Sequence, residues 1–131
     1  AGKSAAWITR YFSDNIKQLE INLIIADFSF EAAKELTLNQ DWACAIELDI
    51  TNDQKRSELI QNSDLVISLL PPQFHILATK DALKHGKNFI NASYISDEIN
   101  QLKNEISHKG LSFIGELGLD PGIDHISISK M

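Results

Sequence analysis

Gly2, Lys3, Ser4 and Ala5 place a glycine, a cation, a hydroxyl and a small residue at the mouth of an amphipathic stretch, and Asp27 closes INLIIAD 22 residues beyond Ala5. A glycine lets backbone approach a diphosphate, and a helix that starts there offers it unpaired N–H groups. A carboxylate about 20 residues on, at the end of the following strand, can accept from ribose hydroxyls. The spacing reads as the later part of a dinucleotide-binding fingerprint, with Gly2 at the pyrophosphate and Ala5 as the third small position. The first glycine of that pattern would precede Ala1. Two other readings stay open. Gly2-Lys3-Ser4 can be the tail of a P-loop with LIIAD as a Walker-B-like strand, which needs a glycine five residues before Gly2. It can also be an ordinary helix start with a strand-end aspartate. An acid at Asp27 repels a 2′-phosphate, so NAD(H) is favoured. Lys3 keeps NADP(H) possible, and the two arginines, Arg10 and Arg56, do not follow the second strand.

A second group of residues sits where short apolar runs stop: Asp49-Ile50, Leu70-Pro71-Pro72, Ala92-Ser93-Tyr94 and the loop GELGLDPGIDH at 115–125. That loop holds Gly115, Gly118, Gly122 and Pro121 among three carboxylates and His125, a composition that neither helix nor strand favours. Each residue also has a plainer reading. Asp49 suits a helix cap or a turn, Ser93-Tyr94 a strand-to-helix connection, Asp120 a turn-stabilising residue, Glu116 a loop-fixing carboxylate, and His75 and His125 structural roles.

These positions need elements to carry them. INLIIAD (21–27), CAIELDI (44–50), DLVISLL (64–70), NFINAS (88–93) and LSFIG (111–115) are short apolar runs, as expected of parallel strands covered on both faces. Helical stripes lie between them: Ala5, Ile8, Phe12, Ile16 and Leu19; Phe74, Leu77, Ala78 and Ala82, ending at Gly86; Ile99, Leu102 and Ile106, ending at Gly110. Shorter helices are expected after Ser29 as N-cap and after Asn52 or Asp53. His85 and His108 fall in last turns, where a histidine is a dipole partner or solvated. Strand and helix alternate, which predicts a doubly wound α/β sheet of the Rossmann kind. Such a sheet opens on a central strand, whereas this sequence opens on a helix. The expectation is a fragment lacking its first strand and a second domain, poorly stable unless that slot is filled.

The 131 residues are enough for one domain, expected to be a single dinucleotide-binding domain over 1–131. No apolar run approaches a membrane span and no signal peptide is readable. A net charge of -6 argues against nucleic acid as a partner. Cys44 is the one cysteine, so no internal disulfide forms; it is expected in the core, and a reducing, cytoplasmic setting follows. Scattered histidines and a single cysteine give no metal-ligand spacing, and no Ser-His-Asp arrangement is readable.

DLVISLLPPQFH, NASYISDE and GELGLDPGIDH together resemble saccharopine dehydrogenases of the glutamate-forming type, from the opening glycine loop to Met131. The resemblance implies a Rossmann domain beside a separate substrate and dimerisation domain, and interconversion of saccharopine with L-glutamate and 2-aminoadipate 6-semialdehyde by a nicotinamide cofactor. It implies that Gly2, Lys3, Ser4 and Ala5 hold the pyrophosphate and that Asp27 reads the ribose. Asp49 and Ile50 would lie by the adenine, and Leu70 and Ala92 would line the cofactor channel. Ser93 and Tyr94 would reach the substrate, with Leu119, Asp120 and Pro121 beside the nicotinamide. In that setting Asp120 would orient the reacting nitrogen and His125 would shuttle a proton, because hydride transfer to an imine needs alignment and proton management rather than a nucleophile. Lys3 and Pro72 depart from the residues common in relatives. Two readings from other classes remain: a nucleotide-sensing domain without catalysis, and, more distantly, the P-loop NTPase.

Overall fold

The computed structural model describes residues 2–118. Packing divides the chain into two compact units, one ending at Asn52 and the other beginning at Asp53.

The first unit runs α1 (Lys3–Leu19), β1 (Leu23–Asp27), α2 (Phe30–Leu36) and β2 (Ala43–Glu47). Helix α1 starts immediately after Gly2 and stops at Glu20, whose left-handed backbone (φ 46°) returns its N–H to the Ile16 carbonyl. Ala5, Ile8, Phe12 and Ile16 are half-buried along one stripe, while Leu19 at the end is exposed. Buried Thr9 sits on the same helix and donates to the Ala5 carbonyl at 2.9 Å, which satisfies its hydroxyl. Ser29 caps α2 as expected, accepting from the Ala32 N–H at 3.2 Å. Strands β1 and β2 are parallel, with Ile24 opposite Cys44 and Ile25 opposite Ala45. Helix α2 packs on both strands, with Ala33 fully buried.

Two expectations are corrected in this unit. Burial alternates along β1, with Ile24 and Ala26 exposed, so the strands are covered on one face instead of two. Cys44 shares the Ile24 face and is exposed, not core. An apolar run does not say which of its faces a helix will cover; the period-2 register does.

The second unit runs α3 (Asp53–Gln61), β3 (Leu65–Ser68), a single 3₁₀ turn (Pro72–Phe74), α4 (His75–His85), β4 (Asn88–Asn91), α5 (Asp97–Gln101), α6 (Lys103–His108) and β5 (Phe113–Ile114). Its sheet has the order β3-β4-β5, parallel throughout. The core joins Ile60 of α3, Ala78 and Ala82 of α4 and Phe89 of β4, with Val66, Leu70 and Phe113 packed against it. Phe89 is 2% exposed and stacks on Phe113 at 5.6 Å between ring centroids. Its burial alone contributes about 2–3 kcal/mol. Gly86 ends α4 in the left-handed region (φ 67°), and the next N–H, of Lys87, returns to the Ala82 carbonyl at 2.8 Å. Arg56 and Asp81 fasten α3 to α4, Nε to carboxylate at 2.8 Å.

Boundaries shift here too. Phe74 belongs to the 3₁₀ turn because Pro71-Pro72 denies the helix an earlier start, so α4 begins at His75. The stripe Ile99, Leu102, Ile106 is two short helices hinged at Leu102. The expected strands ending at Ile50, Leu70 and Ser93 stop at Glu47, Ser68 and Asn91. Alternating strands and helices with parallel pairing hold in both units. Among the described residues β1 pairs with β2 alone and β3 with β4 alone. Each sheet keeps the order of one wing of a doubly wound α/β fold.

Candidate functional site

In the first unit, the helix start offers unpaired donors. Gly2 is the α1 N-cap with extended backbone (φ -99°, ψ -176°), it brings no side-chain cap, and no acid stands in the first turn. The Gly2 carbonyl already accepts from the Ala6 N–H at 3.2 Å, so the helix is fully formed from its first residue. A Cβ on Gly2 would meet nothing within 4 Å, which leaves room for a bulky anion. Ser4 is exposed and Ala5 half-buried. Uncapped N–H groups, the positive end of the helix dipole and the lack of a carboxylate suit a diphosphate.

Asp27 ends β1, and its carbonyl accepts from the Leu48 N–H at 2.8 Å, drawing the segment after β2 against it. One carboxylate oxygen of Asp27 accepts from the Ser29 N–H at 2.9 Å. Asp27 is therefore partly committed to its own turn. Asp49 and Ile50 lie beyond β2 in a turn, not in a strand. Asp49 Oδ1 accepts from both the N–H (2.9 Å) and the hydroxyl (2.7 Å) of Thr51. These two bonds, the hydroxyl first, hold its pKa below the usual carboxylate value. The turn reading of Asp49 describes its geometry; its carboxylate faces Thr51.

In the second unit the structure brings together residues that are distant in sequence. Ser68 ends β3, His75 opens α4 and Ser93 follows β4. His75 Nδ1 lies 2.7 Å from Ser68 Oγ, and Nε2 lies 2.9 Å from Ser93 Oγ. Ser68 and His75 are buried, and Ser93 is partly exposed. Burial pushes the His75 pKa below its ordinary value, so the ring is neutral at neutral pH. A structural role for His75, the plainer expectation, leaves out its link to Ser93. The signal is faint: a histidine just after a double proline falls where a helix can begin, and His75 at that start meets Ser68 and Ser93 near the strand ends. Leu70 packs against the core and Ala92 is half-buried, while Tyr94 stands 60% exposed.

The start of the glycine-rich loop joins this group. Glu116 N–H donates to the Ser93 carbonyl at 3.0 Å and Leu117 N–H to the Asn91 carbonyl at 3.3 Å. The left-handed residue at the start of this loop is Glu116 (φ 60°), not Gly115 before it. Gly115 is crowded instead: a Cβ there would come within 2.6 Å of Ile95 Cγ1 and 3.2 Å of Asn91 Oδ1. Asn91 Oδ1 is buried with no hydrogen-bond partner among the described residues. Leu119, Asp120, Pro121 and His125 lie outside the described residues, as does the side chain of Lys3.

Neither arginine supplies a ligand clamp in what is described. Arg56 is buried and bonded to Asp81 and Asp53, and Arg10 is exposed on α1. His85 Nε2 pairs with Ser57 Oγ at 2.7 Å, a contact between α4 and α3 instead of a solvated or dipole-partner position, and His108 is exposed. No described helix is long and apolar enough to cross a membrane.

Comparison with known proteins sharpens the picture. The family model for the saccharopine dehydrogenase NADP binding domain matches residues 1–114. The alpha-aminoadipic semialdehyde synthase of Arabidopsis thaliana is 32% identical over 98% of this chain, which spans 12% of that protein. The saccharopine dehydrogenase [NADP(+), L-glutamate-forming] of Saccharomyces cerevisiae is 36% identical over 85% of this chain, which spans 25% of it. An apo structure of the L-Glu-forming saccharopine dehydrogenase from Saccharomyces cerevisiae superposes with a TM-score of 0.87 at 32% identity, covering 98% of this chain and 28% of that one. The matched domain is described as NADP-binding, so the preference for NAD(H) drawn from Asp27 finds no support there.

Proposed function

The chain belongs to the saccharopine dehydrogenase family as its NADP-binding domain, and from that premise we propose that it serves an oxidoreductase of C–N bonds that interconverts saccharopine with L-glutamate and 2-aminoadipate 6-semialdehyde. The observation that carries the cofactor part is the uncapped, acid-free start of α1 at Gly2. The N–H groups behind Gly2, through Ser4 and Ala5, take the diphosphate, and Lys3 adds a positive charge to that end. Asp27 accepts from ribose, with Asp49 and Ile50 by the adenine. The names of the relatives favour NADP(H) over NAD(H). One carboxylate oxygen of Asp27 is already held by the Ser29 N–H, which lowers its weight as a ribose-2′ reader.

When bound, the nicotinamide supplies or accepts the hydride. This chain's residues bind and orient. Leu70 and Ala92 line the approach, and Ser93 and Tyr94 meet the substrate. Leu119, Asp120 and Pro121 flank the ring, Asp120 orienting the reacting nitrogen and His125 moving its proton. A cytoplasmic homodimer completed by a second domain belongs to the same proposal. A catalytically silent nucleotide sensor is the competing class.

The test is a titration of the full-length protein with NADPH and NADH, followed by turnover with saccharopine and NADP+. NADPH binding with saccharopine oxidation is the expected result. NADPH binding without turnover of saccharopine would select the sensor, and no binding of either dinucleotide would remove the reading.

A further inference from the structure

The side chains of Ser68, His75 and Ser93 form one line from the interior to the surface of the second unit, through contacts of 2.7 and 2.9 Å. A neutral imidazole carries one N–H, so one of the two serines donates to the ring and the other accepts from it. Two arrangements satisfy the distances. In one, Ser68 donates to Nδ1, and Nε2–H donates to Ser93. In the other, Nδ1–H donates to Ser68, and Ser93 spends its own proton on Nε2.

Burial decides between them. Ser68 is 3% exposed, and His75 Nδ1 is its hydrogen-bond partner. If the ring donated to Ser68, the serine proton would have to find a separate acceptor in the interior. A buried donor left unsatisfied loses its hydration with nothing in return, so that arrangement is disfavoured. The first arrangement leaves no buried proton unpaired. It also has an outward consequence. Ser93, already accepting from Nε2–H, keeps its O–H for whatever lies outside, and Ser93 is the partly exposed member of the three.

We propose that the Ser68–His75 pair holds Ser93 as a hydrogen-bond donor toward a bound oxygen acceptor, a carboxylate or carboxamide, and that His75 is thereby a positioning residue for ligand recognition. This rests on the reading of Ser93 as a ligand contact. Such an acceptor can come from a substrate carboxylate or from the nicotinamide carboxamide. The Glu116 N–H bond to the Ser93 carbonyl fixes the backbone of the same residue, so both its ends are oriented.

Two measurements on the full-length enzyme test this. The first is long-range ¹H–¹⁵N correlation NMR of histidine-labelled protein, with His75 assigned by its loss in His75→Gln. The expected signal is the neutral Nε2–H tautomer, and an Nδ1–H tautomer or a charged ring would overturn the proposal. The second is a cycle of Ser93→Ala, His75→Leu and the double variant, read as saccharopine KM, kcat and NADPH Kd. Ser93→Ala should raise either the saccharopine KM or the NADPH Kd about tenfold with a smaller change in kcat, and the parameter that moves names the source of the acceptor. His75→Leu should move the same parameter, and should add nothing once Ser93 is alanine. Additive effects, or a Ser93→Ala enzyme with unchanged KM and Kd while wild type turns over saccharopine, would overturn this inference and leave the function standing. A wild-type enzyme that neither binds NADPH nor oxidises saccharopine would remove both.

Discussion

The backbone N–H of Glu116 donates to the carbonyl of Ser93 at 3.0 Å, so the segment that follows β5 is pinned to the segment that follows β4. Leu117 repeats the connection to Asn91. Both segments leave parallel strands at their carboxyl ends, where ligands of open α/β sheets bind. Two motifs separated by some twenty residues in the sequence are thus one structural object.

Gly115 is the tight point of that object. An added Cβ would sit 2.6 Å from Ile95 Cγ1 and 3.2 Å from Asn91 Oδ1. Gly115→Ala should therefore destabilise the protein by about 1–3 kcal/mol, the usual penalty of overpacking. Ile95 is 44% exposed, so trimming it costs little. Ile95→Ala combined with Gly115→Ala should recover most of the loss in denaturant melts. A double variant as unstable as the single one would place the strain on Asn91 or the backbone.

The pair Arg56–Asp81 predicts a large and asymmetric effect. Arg56 is 5% exposed and bonds Asp81 through Nε and Asp53 through Nη2, both at 2.8 Å. Asp81→Ala leaves a buried guanidinium short of one partner, a change that costs about 3–5 kcal/mol. Replacing both residues by Met and Leu should cost much less than Asp81→Ala alone, because no buried charge then remains. Chemical denaturation of the two variants measures the difference.

Much of this was legible in the sequence, and the failures share a cause. The βα alternation, the Ser29 cap, the Gly86 stop and the helix start behind Gly2 depend on local chemistry, which neighbouring residues reveal. The exposure of Cys44 and the division of the last helix at Leu102 depend on which faces find partners, which an apolar run or stripe alone does not encode. The same holds for the site. Asp27 and the motif ends are candidates by spacing, whereas the contact of His75 with Ser68 and Ser93 joins three separate elements of the second unit. Asp49 illustrates the middle case: a cap or turn role was readable, the structure supplies Thr51 as its partner, and its bonds there compete with any role at a ligand.

Asp27 tests the cofactor assignment. Its carboxylate should repel a 2′-phosphate, yet the matched family domain is NADP-binding. Asp27→Asn keeps an oxygen to accept from the Ser29 N–H, as Asp27 Oδ1 now does at 2.9 Å, while removing the charge. The expected outcome is a gain of about tenfold, roughly 1.4 kcal/mol, in NADPH affinity relative to NADH. Fluorescence titration of the full-length protein reads both constants. An unchanged ratio would show that Asp27 points away from the 2′ position.

His75 makes stability depend on pH in a stated direction. Burial lowers its folded pKa from 6.5, so the folded state resists taking the proton that the unfolded chain accepts. The unfolded state then binds more protons below about pH 6.5, and stability falls as pH falls. The contribution is fully present above that value and is lost progressively as pH drops toward the folded pKa, with a slope of at most about 1.4 kcal/mol per pH unit for one proton. Stability changes with pH for more reasons than one ring, so the informative quantity is a difference. Wild type should lose more stability than His75→Gln between pH 7 and pH 5 in urea melts. Equal losses would mean that the ring, in spite of its burial between Ser68 and Ser93, takes its proton as readily folded as unfolded.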